Sequence, residues 1–280
     1  MPYLMHICFD SSSRLIRNVH YFEYRGVRFK LIQNNPRKWS DVLLTLVPLH
    51  DEAAQNLAFS VVGEFLSALS WQNHARIVFE NAGGIGVEDG FRLRKATCHF
   101  FTFPKMSFRG DQGGNEISRI PEIENDNQRI ALTLFREARS SNKSWLAFLF
   151  YWQIMEVGGG NPVSWIEKVY RKQPSQIYIP QKRQLPLSGR KLGEYLLKDC
   201  RDAIAHIRRR PGERVLRFDD GEENKHISIS VMIVEQFAEY YIREVLCLKK
   251  EMHLVRRGSR GFPTFVKESE ILSYHFGLIR

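Results

Sequence analysis

Between Arg109 and Asp126 the sequence loses every apolar periodicity, and Gly110, Gly113, Gly114 and Pro121 stand among alternating acids. Such a stretch cannot sit inside a packed core, so it marks a boundary. A chain of 280 residues also exceeds the usual span of one core. The organisation expected is a mixed α/β domain over 1–110, a linker over 111–126, a helical bundle over 127–252 and a C-terminal extension over 253–280. The fold class is then α+β, with a small N-terminal sheet followed by an all-α bundle.

The first half mixes strand and helix signals. Residues Tyr21 to Leu31 alternate around a turn at Arg25-Gly26, which predicts a half-buried hairpin with Phe22, Tyr24, Val27, Phe29 and Leu31 on one face. Val42 to Val47 fits a buried strand. From Asp51 to Trp71, Leu57, Val61, Val62, Phe65, Leu66 and Leu69 follow the 3.6-residue period of a helix that Asp51 can cap. Two further strands are expected at Ala75 to Phe79 and Phe91 to Phe103. The glycine-rich run Asn81 to Gly86 lacks the spacing and the Lys of a phosphate loop and is taken as a turn.

The second half predicts helices throughout. Asn127 to Arg139 carries Ile130, Leu134 and Phe135 on one face, and Ser144 to Val157 carries Leu146, Phe150 and Ile154. Gly158 to Gly160 ends the second helix, and Asn161-Pro162 opens a short third over Val163 to Arg171. After a loop over Gln173 to Ser188, Ser188 is the expected N-cap of a helix from Arg190 to Arg209, stopped by Pro211-Gly212. Its inner face is Leu192, Leu196, Cys200, Ala203 and Ile207. A last helix from Ile227 to Glu251 presents Val234, Phe237, Tyr241, Val245 and Leu248 to the same core.

The formal charge of +10 attracts polyanions. The apolar run from Trp145 to Met155 is too short to span a bilayer, and the N-terminus lacks the pattern of a secretory signal, so a cytoplasmic protein with no membrane partner is expected. Cys8, Cys98, Cys200 and Cys247 form no paired motif, and the eight His other than His206 show no metal-ligand spacing. No metal and no cofactor are expected.

The chemistry is sought in Arg201-Asp202-Ala203-Ile204-Ala205-His206. On a helix Asp202 and His206 share a face, and a long guanidinium arm from Arg201 can bend toward the imidazole. A titratable ring, a carboxylate to orient it and a positive fork suit phosphodiester cleavage. Lys198, Arg208, Arg209 and Arg210 on the same helix, with Arg190 and Lys191 at its start, supply contacts to RNA phosphates. Glu156, at the end of an earlier helix, is read as solvent-facing, with an accessory place in the cleft as the rival reading.

With these residues, the second half resembles the HEPN superfamily of helical bundles, whose ribonuclease members carry an R-x(4 to 6)-H motif in a late helix. Arg201 and His206 match the motif, and Asp202 takes the polar position after the Arg. The helix ending in Tyr151-Trp152-Gln153-Ile154-Met155-Glu156 fits an earlier core helix of that superfamily. The length and the bundle also resemble MauJ-type proteins of methylamine utilisation. The resemblance implies a metal-independent endoribonuclease, working as a homodimer with a composite active site. His206 would be its acid or base, Arg201 its transition-state clamp and Asp202 the orienter of His206. The expected role is an RNA-cutting toxin or antiviral-defence effector, with a regulatory protein as a further partner. The alternative is a bundle that binds RNA, nucleotide or protein and cuts nothing.

Overall fold

The computed structural model describes residues 3–11, 20–32, 41–47, 52–88, 92–100, 119–172, 180–205 and 220–256. Two compact units emerge, and the fold is α+β. Unit one comprises 1–62, 79–118 and 254–280; unit two comprises 63–78 and 119–253. Residues 63–78, read from the sequence as part of the first domain, therefore cluster with the helices.

Unit one is built on a sheet. Its described strands are β1 (Tyr3–Ser11), β2 (His20–Tyr24), β3 (Val27–Ile32), β4 (Asp41–Val47), β5 (Ile77–Glu88), β6 (Arg92–Phe100) and β9 (Val255–Arg256), ordered β6-β5-β1-β4-β3-β2-β9. The β2–β3 hairpin turns at Arg25 and Gly26, whose φ angles of 51° and 72° give the turn whose twist matches its strands. Across it Phe22 stacks on Phe29 at 5.3 Å, and all five residues of the expected inner face are buried. Strand β1, not among the expected strands, pairs antiparallel with β4 from Tyr3↔Val47 to Phe9↔Asp41.

The run Asn81 to Gly86 is not a turn but the middle of β5, paired with β6 through a register shift at Gly86/Val87. Glycine weakens an isolated strand, but ladder hydrogen bonds from a neighbour hold it, and the irregularity falls where the glycines are.

Unit two is helical. Helix α1 (Glu52–Asn73) contributes its residues from Gly63 onward; α2 (Asp126–Ser140), α3 (Ser144–Glu156) and α7 (Gly221–Glu244) form the main stack, joined by α4 (Pro162–Lys172). Helix α3 is apolar almost all round, which fits a helix packed on both sides, and it lies against α2 and α7. Phe135 of α2 is fully buried, with Trp71 edge-on at 4.9 Å and Tyr151 at 5.9 Å. The Tyr151 hydroxyl donates to Glu235 at 2.9 Å, and Arg139 pairs with the same carboxylate. Burial, then the neighbouring Glu235 charge, pushes the Tyr151 phenol up, so it stays protonated.

The ends of the bundle are tied polar group by polar group. Asn125 caps α2 by accepting from the Gln128 amide at 3.0 Å. The buried Gln128 side chain accepts from the Glu124 amide and donates to the Leu246 carbonyl at 2.8 Å, which joins the entry of α2 to the exit of α7. Strands β7 (Arg119–Pro121) and β8 (Glu251–His253) pair at the same junction, so the end of the expected linker is paired backbone.

Three helix expectations also change. Helix α7 starts at Gly221 under an Asp220 cap, six residues before Ile227, and ends at Glu244, so Val245 is exposed at 43% and not in the core. Leu248 is buried, but from the turn that follows. Ile130, expected on the inner face of α2, is 49% exposed, because that helix buries Gln128, Ala131, Leu132, Phe135 and Ala138. Ser188 is no N-cap: it has φ 48°, and the helix begins at Leu192 after Lys191.

Candidate active site

The segment that carries Arg201 is a single helical run of three kinds. It opens as α5 (Leu192–Tyr195), widens into a π-helical turn (Leu196–Arg201) and tightens again as α6 (Asp202–Ala205). The start is capped from a distance, since Glu167 of α4 accepts from the Gly193 amide at 2.7 Å. A larger residue would be crowded there, because a Cβ would lie 3.0 Å from the Val163 carbonyl.

A π turn inserts one extra residue into the helical frame and turns the following side chains around the axis. Here Leu196 and Cys200 stay in the core, and the Cys200 thiol meets Ser230 of α7 at 3.5 Å. Asp199, also in the turn, is buried and pairs with Arg190. Arg201 comes out at the edge with 32% of its side chain exposed.

There the guanidinium meets two carboxylates. Arg201 Nη1 donates to Asp202 Oδ1 at 3.1 Å, and Nη2 stands 4.0 Å from Glu156 Oε1 at the end of α3. Glu156 is itself held by the indole N–H of Trp152 at 2.9 Å, and Trp152 is buried at 1% exposure. A core tryptophan thus fixes a carboxylate that faces an arginine. Glu156 is exposed, as the solvent-facing reading expects, and in addition stands 4.0 Å from Arg201. The guanidinium has five N–H donors, and about a third of the Arg201 side chain is exposed.

The other expected residues divide. Arg190 is engaged with Asp199, and Lys198 with Glu194 at 3.5 Å in an i,i+4 pair. Lys191 is exposed. Asp202 is brought to Arg201; its expected role on His206 lies outside the described residues, as do His206, Arg208, Arg209, Arg210 and Ile207. Among the described residues, no three His, Cys, Asp or Glu are grouped to hold a metal ion, and no helix is long and apolar enough to cross a membrane. The Trp152–Glu156–Arg201 connection was missed by sequence reasoning. The only local signal for it was Trp and Glu four residues apart, one turn above the other on α3.

Residues 131–243 match the family model described as "Methylamine utilization protein MauJ". The MauJ match runs from α2 into the last turn of α7, so Trp152, Glu156, Arg201 and Asp202 all fall inside it, and MauJ is a HEPN-like family. The resemblance of the bundle to MauJ-type proteins thus holds over residues 131–243, well under half of the chain. No curated protein and no solved structure matches the chain.

Proposed function

We propose that the helical unit is a metal-independent endoribonuclease whose phosphate clamp is Arg201 and whose proton carrier is His206. The observation that carries this reading is the Arg201 guanidinium, about a third exposed, hydrogen-bonded to Asp202 and 4.0 Å from Glu156. A fork fixed in this way loses little freedom when it meets a phosphate, and its free N–H groups stabilise the charge that grows on the phosphoryl oxygens.

In the proposed reaction the RNA 2′-oxygen attacks the adjacent phosphorus and the bond from phosphorus to the 5′-oxygen breaks. His206 takes the 2′-hydroxyl proton, and an imidazolium returns one to the departing 5′-oxygen. The products are a 2′,3′-cyclic phosphate and a 5′-hydroxyl. A second copy of the chain, bringing its own Arg201 and His206 to the cleft, would supply the separate acid and base.

The reading predicts a strict dependence on the attacking group. An RNA oligonucleotide is cut, and the same sequence with 2′-O-methyl groups stays intact while still binding. Equal cutting of both, followed on a denaturing gel, rules out attack by the 2′-oxygen.

The ion pairs at Arg201 favour a second reading, a binding module. A guanidinium already opposite two carboxylates has part of its charge offset before any ligand arrives. That module binds RNA with salt-dependent affinity, cuts nothing, and keeps its affinity when His206 is replaced.

A further inference from the structure

The cations expected to contact RNA near Arg201 are partly engaged: Arg190 with Asp199, Lys198 with Glu194 and Arg201 with Asp202. A second group has no acidic partner among the described residues. Lys168, Arg171 and Lys172 are exposed along the second half of α4; Arg183 is exposed in the 3-10 turn Pro180–Gln184; Lys191 is exposed just before α5. Lys182 of the 3-10 turn is half-buried, but its partner is a ring: Nζ sits 4.2 Å from the Tyr170 ring centroid and donates to the Tyr170 hydroxyl at 3.1 Å. An aromatic partner holds a lysine without cancelling its charge.

These six cations come from segments that are folded together. The Tyr170 contact seats the 3-10 turn on the last turns of α4. The Glu167 carboxylate on the Gly193 amide, with the Val163 carbonyl close to Gly193, seats the start of α5 on the first turns of α4. On α4 itself the buried positions are Pro162, Ile166 and Val169, so Arg171 and Lys168 point away from the core, with Lys172 beside them. The acids of these segments are already committed: Glu167 caps α5, Glu194 pairs with Lys198 and Asp199 pairs with Arg190.

We propose that α4, the 3-10 turn and the start of α5 form the track on which the RNA backbone lies, leading from outside the site to the helical run that carries Arg201. This rests on the reading of RNA as the ligand. A surface of uncancelled cations on three adjoining segments matches the repeated charge of a phosphate backbone, which is bound chiefly by neutralisation and counterion release. An anionic membrane is a poorer fit, because interfacial binding needs large apolar side chains among the cations. The exposed large apolar residues in the described chain are Leu57, Ile130, Met232 and Val245, and none is on these three segments.

The test uses the full chain and a fluorescent single-stranded 2′-O-methyl RNA, so that cleavage does not consume the probe. Binding is followed by anisotropy across a salt series for the wild type and for the set Lys168→Gln, Arg171→Gln, Lys172→Gln and Lys182→Gln. A control set carries Lys143→Gln, Arg119→Gln, Lys225→Gln and Lys249→Gln, which removes the same charge elsewhere on the unit. With about 0.7 counterions released per phosphate contact on a single strand, the track set should flatten the salt slope by about 2 to 3 and weaken binding roughly ten- to hundredfold. The control set should do much less. Equal loss in both sets overturns the track, as does binding to phosphatidylserine vesicles in preference to the RNA. Failure of the track and failure of the nuclease are separable. Track-dependent binding by a protein that cuts no RNA upholds the track and sinks the nuclease. Cleavage and binding that ignore the track set sink the track and leave the nuclease standing.

Discussion

Arg201→Ala lowers RNA cleavage by about 10²- to 10³-fold, the loss typical when one preorganised donor is removed from a developing negative charge. Stability should hardly change, because the ion pairs of a side chain this exposed are each worth about 0 to 1 kcal/mol. Arg201→Lys keeps the charge but not the fork, and it should recover only part of the rate. Trp152→Phe is the sharper companion variant. It keeps an aromatic ring in the core but removes the N–H that holds Glu156, so its effect on rate should be smaller than that of Arg201→Ala and should come through the position of the guanidinium. Steady-state rates on a labelled RNA, with far-UV circular dichroism as the folding control, check both. An Arg201→Ala enzyme as fast as wild type would remove Arg201 from the chemistry.

Phe135→Ala has the largest expected effect on stability, a loss of about 3 to 5 kcal/mol. The ring is fully buried and touches Trp71 of α1 and Tyr151 of α3, so its removal opens a cavity where three helices meet. Ile130→Ala, five residues earlier on the same helix, should cost no more than about 0.5 kcal/mol, because Ile130 is an exposed side chain. Urea denaturation of the two variants measures the contrast. Similar midpoints for both would mean that α2 buries a different face.

What could be read from the sequence followed how local the cause was. The hairpin was legible because Arg25-Gly26 and the flanking alternation both act within a dozen residues. Helix α3 was legible because its apolar run is long and bounded. The glycines inside β5 were not, since the strand is held by a partner strand, and β1 likewise depends on its pairing with β4. The early start of α7 had a usable signal, Asp220 followed by Glu222 and Glu223, which is a cap with acids in the first turn. Arg201 could be singled out from its own segment. Its pairing with Glu156, 45 positions away and set by the packing of α3 against the π turn, could not. The same holds for Glu167 of α4 accepting from the Gly193 amide at the start of α5.

The most direct test of the central claim is cleavage of a mixed RNA pool in the presence of EDTA, comparing wild type with His206→Ala and mapping the product ends. The wild type is expected to leave 2′,3′-cyclic phosphate and 5′-hydroxyl ends, with the rate lowered about 10²- to 10⁴-fold in the variant. RNA left intact by the wild type, or cut equally by the variant, would contradict it.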